Sequence, residues 1–226
     1  MTARGLFVTG TDTGVGKTRV AVALIHALRA AGLRVAAMKP VSAGNAPGGL
    51  NEDVAALLQA ANVPADVRDV NPYAFEPAIA PHLAAQQAGA RIELAVIAEA
   101  YARLAARADA VVVEGAGGWR VPLNEREDMA DLAQRLALPV VLVVGLRLGC
   151  LNHALLTAES IARRQVPWAG WVGNHIDPAM AQAAANLEAL RARLPGPCLG
   201  VQAFSADPAF SVDASPWLTL PQELIF

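Results

Sequence analysis

The chain has 226 residues, 54% of them hydrophobic and 17% charged, enough apolar material for one domain with a sizeable core and too little charge for a disordered chain. With 18 Lys and Arg against 20 Asp and Glu, the net charge of -2 leaves no global positive field, so neither nucleic acid nor an anionic membrane is expected as a partner. Cys150 and Cys198 form no Cys-x-x-Cys pair and the four histidines have no ligand spacing, which excludes a disulfide framework and a zinc site and makes a reducing cytoplasm the expected home.

The N-terminal stretch is too short in apolar residues for a signal peptide, and later apolar runs are strand-length, so a soluble, unprocessed chain is expected. Leu6 to Thr9 reads as the first strand, followed by the glycine-rich stretch GTDTGVGKT, Gly10 to Thr18. From Lys17 to Ala31 the residues Val20, Leu24 and Leu28 recur every four positions, as on one buried helix face, and Gly32 is placed to stop the helix. Val35 to Pro40 is the next strand, Ser42 to Gly49 a Gly/Pro-rich loop, and Glu52 to Ala61 and Ile92 to Arg107 two helices.

The run ADAVVVEGAGG supplies an apolar strand that ends in an acid, Glu114, and a glycine turn. PVVLVVG, Pro139 to Gly145, is apolar and β-branched throughout, the pattern of a strand covered on both faces. A helix from about Asn152 to Arg164, the run WAGWVGN, a helix from about Pro178 to Leu194 and a short strand near Leu199 to Gln202 complete the alternation. Such repetition predicts a single α/β domain over residues 1–226: a mostly parallel sheet flanked by helices in three layers, with ligand sites at the carboxyl ends of the strands.

GTDTGVGKT has the form Gly-x5-Gly-Lys-Thr, one residue longer than the usual phosphate loop. Gly14 and Gly16 lack the Cβ that would keep backbone away from an anion, the N–H groups entering the helix point at it, and Lys17 adds a positive charge. Thr18 is suited to place its hydroxyl on Mg2+, and Glu114 stands where a sheet delivers a carboxylate to such a site. Asp53, near a helix start, fits a metal ligand or a cap equally. Lys39 ends a strand and points toward the same crevice, where it could neutralise a phosphoryl group or an oxyanion. Asn174 could read an adenine edge or serve a turn. GCLNHA, Gly149 to Ala154, opens a helix whose free N–H groups suit a carboxylate, or is a plain turn capped by Asn152.

Taken in order, GTDTGVGKT, MKPVSAG, NPYAFEPAIAPH, VVVEGAGGW, VVGLRLGCLNHALLT and AGWVGN resemble the dethiobiotin synthetase family over about Leu6 to Asn174. The resemblance implies that 7,8-diaminopelargonic acid and CO2 or bicarbonate form a carbamate, that the carbamate takes the γ-phosphoryl of ATP, and that the second amine closes a ureido ring. By the same resemblance Thr13, Lys17 and Lys39 form the catalytic set, and Thr18, Asp53 and Glu114 surround Mg2+. The nucleotide contacts are Gly14, Val15, Gly16, Lys17, Thr18, Arg19, Asp53, Glu114, Gly115, Ala116, Gly117, Asn174 and His175. The acid substrate meets Lys39 and Ala43, with its carboxylate at Gly149, Cys150, Leu151 and Asn152 of the other subunit, which implies a homodimer with shared sites.

Three positions depart from the family's pattern: Ala43 stands where Ser or Thr is common, Ala80 replaces a frequent serine, and Ala203-Phe204-Ser205 replaces a proline-aromatic-leucine run beside the adenine. Nucleotide-switched partition or division-site ATPases share the fold class but carry a signature lysine where this chain has Asp12. An amidotransferase-type ligase would need many more residues for its glutaminase domain, with a nucleophilic cysteine and a histidine partner.

Overall fold

The computed structural model describes residues 4–45, 49–205 and 217–220. The elements run β1 (Arg4–Gly10), α1 (Lys17–Ala30), β2 (Val35–Met38), β3 (Val41–Ala43), α2 (Glu52–Ala60), α3 (Val67–Val70), β4 (Tyr73–Phe75), α4 (Pro81–Gln87) and α5 (Leu94–Ala105). They continue with β5 (Ala110–Glu114), α6 (Met129–Leu136), β6 (Val140–Leu146), α7 (Cys150–Arg163), β7 (Trp168–His175), α8 (Ala183–Arg193) and β8 (Cys198–Gln202).

Six strands form one sheet in the order β2-β5-β1-β6-β7-β8, and every pairing in it is parallel. Every residue of β5 and β6 is buried, as uniformly apolar strands between helix layers must be. One face packs α1 over Leu6, Val8, Val112 and Val143; the other packs α5 and α6 over Phe7, Val111 and Val113. Because all six strands run the same way, Gly10, Glu114, Leu146 and His175 end at one edge, and ligand groups gather there.

Several expectations are corrected. The stretch expected as loop from Ser42 begins as strand: Val41–Ala43 pairs in parallel with Tyr73–Phe75 as a separate two-stranded sheet, while residues 46–48 lie outside the described ones. Pro40 ends β2 because it has no N–H to give, and the chain leaves the main sheet there. α7 begins at Cys150 rather than Asn152, since Gly149 at φ 95 adopts the left-handed conformation that launches it. α8 starts at Ala183, not Pro178, the intervening residues forming turns. The helices α3, α4 and α6 were not anticipated; α6 carries a capping box in which Asp128 and Asp131 satisfy each other's N–H groups, with apolar residues on one face.

Candidate active site

The turn between β1 and α1 wraps an anion-sized space. Gly14 and Gly16 take φ of 72 and 89, and a Cβ at Gly16 would come within 2.1 Å of Asn174 Nδ2, so no other residue fits there. Asn174 donates that amide hydrogen to Val15 O at 2.8 Å, tying the end of β7 to the back of the loop. Val15 itself is buried beneath the loop. Asp12 accepts from Thr13 N–H at 2.7 Å and from the Arg147 guanidinium at 2.5 Å, contacts that hold its carboxyl below the usual carboxylate range. Its main-chain carbonyl accepts from Lys17 Nζ at 3.0 Å. Burial, reinforced by the nearby Lys39 charge, lowers the pKa of Lys17 to about 8.

Beside the loop, α2 and the ends of β2 and β5 bring four polar groups together. Lys39 Nζ lies 2.9 Å from Asp53 Oδ2 and donates also to Glu114 Oε1. Thr18 Oγ1 is 2.8 Å from Asp53 Oδ1 and 2.9 Å from Glu114 Oε1, and its one proton can serve only one of them. Burial pulls the Lys39 pKa down, but the two carboxylates outweigh it and hold the ammonium above its ordinary value. Burial raises Glu114 against the pull of Lys39. Burial also acts to raise Asp53, yet Lys39 prevails and keeps it below the ordinary value.

Glu114 Oε2 is buried with no hydrogen-bond partner, an orphan acceptor inside an otherwise satisfied cluster. Among the described residues no group of three or more His, Cys, Asp and Glu gathers. A cation here would therefore have two carboxylates and a hydroxyl, the sparse all-oxygen set that suits Mg2+ shared with phosphates and water. The residues present fit that ion.

A cavity of about 690 Å3 opens over this cluster. Of the residues singled out from the sequence, Thr13, Gly14, Gly16, Lys17, Thr18 and Arg19 line it from the loop side. Lys39, Ala43, Asp53, Glu114, Ala116 and Gly117 line it from the other elements. Gly115 lies below, packed on Phe7 and Met129. Asn174 and His175 lie at the end of β7, outside this lining, and so do Gly149 to Asn152, of which Gly149 and Asn152 are exposed while Cys150 is buried in the core and Leu151 half-buried. Sequence reasoning missed the Asp12–Arg147 pair and the wall formed by Ala78, Ile79 and Val121; the Asp12–Arg147 pair spans 135 positions, and no local pattern announces it.

Fold and site together define a phosphate-loop nucleotide-binding protein of the parallel α/β kind. A family model described as AAA domain matches residues 4–202. The MinD cell division protein of Aquifex aeolicus aligns with a TM-score of 0.56 at 16% identity, over 95% of this chain and 88% of that one, which is a likeness of fold. Among curated relatives, the ATP-dependent dethiobiotin synthetase BioD of Nitrosospira multiformis is 54% identical over 88% of this chain and 87% of its own length. Those of Pseudomonas paraeruginosa (56%, over 86% of this chain and 87% of the relative) and Aromatoleum aromaticum (52%, over 91% and 94%) agree. The chain belongs to the ATP-dependent dethiobiotin synthetases, ATP-consuming ligases of biotin biosynthesis.

Proposed function

We propose that this chain carries out the family's reaction in the cavity between its phosphate loop and the Lys39–Asp53–Glu114 cluster. The observation that carries this reading is the placement of Lys39 Nζ, buried at the cavity wall and held between Asp53 and Glu114, across from Lys17. Phosphoryl transfer asks the protein for positioning and charge neutralisation rather than covalent help, and two ammonium groups facing one space supply both.

In this reading one amine of 7,8-diaminopelargonic acid adds to CO2, giving a carbamate and releasing a proton. A carbamate oxygen attacks the γ-phosphorus of ATP, and ADP leaves with the electrons of the broken P–O bond. The second amine then attacks the carbonyl carbon of the mixed anhydride, expels phosphate and gives up one proton as the C–N bond closes the ring of dethiobiotin. Lys17 and the loop N–H groups hold the phosphates, Thr13 orients the loop's outer edge, and Lys39 neutralises the carbamate and the transferring group. Thr18, Asp53 and Glu114 are the residues that would hold Mg2+, and Glu114 Oε2 is the carboxylate oxygen without a hydrogen-bond partner. Bound there, the ion would offset charge on the phosphates.

Asn174 and His175 border the nucleotide from the end of β7. The helix start at Gly149 to Asn152, exposed at Gly149 and Asn152, meets the carboxylate of a substrate bound in a partner subunit, so the working unit is a homodimer. Residues 1–226 act as one domain, in the cytoplasm; among the described residues no helix is long and apolar enough to cross a membrane.

Phosphate release from Mg-ATP with bicarbonate, with and without diaminopelargonic acid, tests the reading when paired with mass detection of dethiobiotin. The expected result is diamine-dependent release matched one-for-one by cyclic product. Release indifferent to the diamine, with no cyclic product, would overturn it.

A further inference from the structure

Lys39 has four rotatable side-chain bonds, so its ammonium reaches a fixed point only if its main chain is fixed. Its place in the fold makes that difficult. β2 is an edge strand of the main sheet, and after Met38 the chain passes through Lys39 and Pro40 into the separate β3–β4 sheet. The Lys39 peptide thus sits in a joint between two sheets, where neither ladder reaches it.

The joint is closed by one side chain. Asn71, the residue capping the end of α3, is buried, and its Nδ2 donates to Lys39 O at 2.6 Å and to Tyr73 O at 3.1 Å. Its Oδ1 accepts from the buried Ser42 hydroxyl at 2.9 Å. Both amide hydrogens and the amide oxygen are engaged, and only this orientation satisfies two carbonyls and a hydroxyl at once. Main-chain bonds reinforce the lock: Lys39 N–H donates to Val70 O at 2.8 Å and Tyr73 N–H to Pro40 O at 3.2 Å. Tyr73 is in turn fixed by its phenol oxygen, which accepts from Glu93 N–H at 3.0 Å.

Asn71 is not among the residues lining the cavity, whereas the segment it clamps supplies Lys39, Val41, Ser42 and Ala43 to that lining. Ser42 does not stand in for the hydroxyl absent at Ala43, because its proton is committed to Asn71. We propose that Asn71, through its bond from Ser42, is a positioning residue that sets the Lys39 ammonium and the Val41–Ala43 wall against the reacting groups, and that Asn71 itself does not touch substrate. The inference rests on Lys39 acting at the reacting groups, as argued above. The phosphate loop is carried by β1 and α1 and does not depend on this joint.

Turnover of the full chain with ATP, bicarbonate and diaminopelargonic acid tests it in Asn71→Ala, Asn71→Asp and Ser42→Ala, with Lys39→Ala alongside. A displacement near 1 Å costs on the order of a hundredfold in rate. Asn71→Ala should therefore lower kcat about ten- to hundredfold while KM for ATP stays within about threefold. Asn71→Asp, which sets a carboxylate oxygen against two carbonyls, should fall further. Ser42→Ala, which removes one bond and leaves the two amide donations, should lose about threefold. A folded Asn71→Ala with unchanged kcat, or with KM for ATP rising in step with the loss, would overturn the proposal. Should the Asn71 variants fail to fold, Ser42→Ala decides, and unchanged kcat there overturns it. Full turnover in Lys39→Ala would instead sink the assignment of Lys39 itself.

Discussion

The cavity and the β6–α7 corner each sit at the start of a helix, α1 and α7, and they are built in opposite ways. In the cavity Lys39, Thr18 and Glu114 are buried and bonded to one another and to Asp53, and the buried Lys17 ammonium donates to Asp12 O, so the chain alone holds these charges in place. At the corner Leu148 is 93% exposed, Gly149 and Asn152 face solvent, and the helix N–H groups have no side-chain cap. Apart from Glu114 Oε2, the cavity's polar cluster is satisfied by its own side chains. The corner instead leaves Leu148, Gly149 and Asn152 exposed to water.

Three measurements bear on that contrast. The largest effect is expected for Lys39→Ala, which removes the ammonium from the cavity: turnover should fall by about a thousandfold or more while nucleotide affinity changes little, because the phosphate loop is intact. Steady-state kinetics beside equilibrium nucleotide binding would show it, and lost ATP affinity with intact turnover at saturation would refute it. Next comes pH. Lys17 in the empty site has a pKa near 8, depressed by burial, and the phosphates bind its charged form. Below that pH the ammonium is present and affinity is flat. Above it, binding must take up a proton, so ATP affinity should weaken by up to about tenfold per pH unit until the ordinary lysine range. Calorimetry in buffers of different ionisation enthalpy reads this directly; proton-neutral binding at pH 9 would contradict it. The smallest effect belongs to the exposed corner: Asn152→Ala should weaken diaminopelargonate binding by about three- to tenfold and leave ATP binding alone. Equal losses in both would break the comparison.

Much of this was readable in the sequence because local chemistry announced it. The uniform apolar runs ending at Glu114 and Gly145 became β5 and β6, and the four-residue spacing of Val20, Leu24 and Leu28 became the buried face of α1. The glycines of the loop had a single geometric use. Asp53 could not be separated from a helix cap by spacing, and the structure shows why: the true cap of α2 is Asn51, which leaves the Asp53 carboxylate for Thr18 and Lys39. Asn174 bonds to the loop's main chain, a contact across 159 positions that no pattern encodes. The short strands β3 and β4 escaped notice because three residues carry no periodicity, yet they form the joint that sets Lys39.

The separations just described also order events in time. Thr18 meets Glu114 across 96 positions, Asp12 meets Arg147 across 135, and Val15 meets Asn174 across 159. A ribosome adding residues at about 5–20 per second needs on the order of ten to thirty seconds between making the loop and making the strand that braces it. The first functional segment of the chain is thus among the last to become functional. A nascent chain halted before β7 lacks the Asn174 amide that braces the back of its loop.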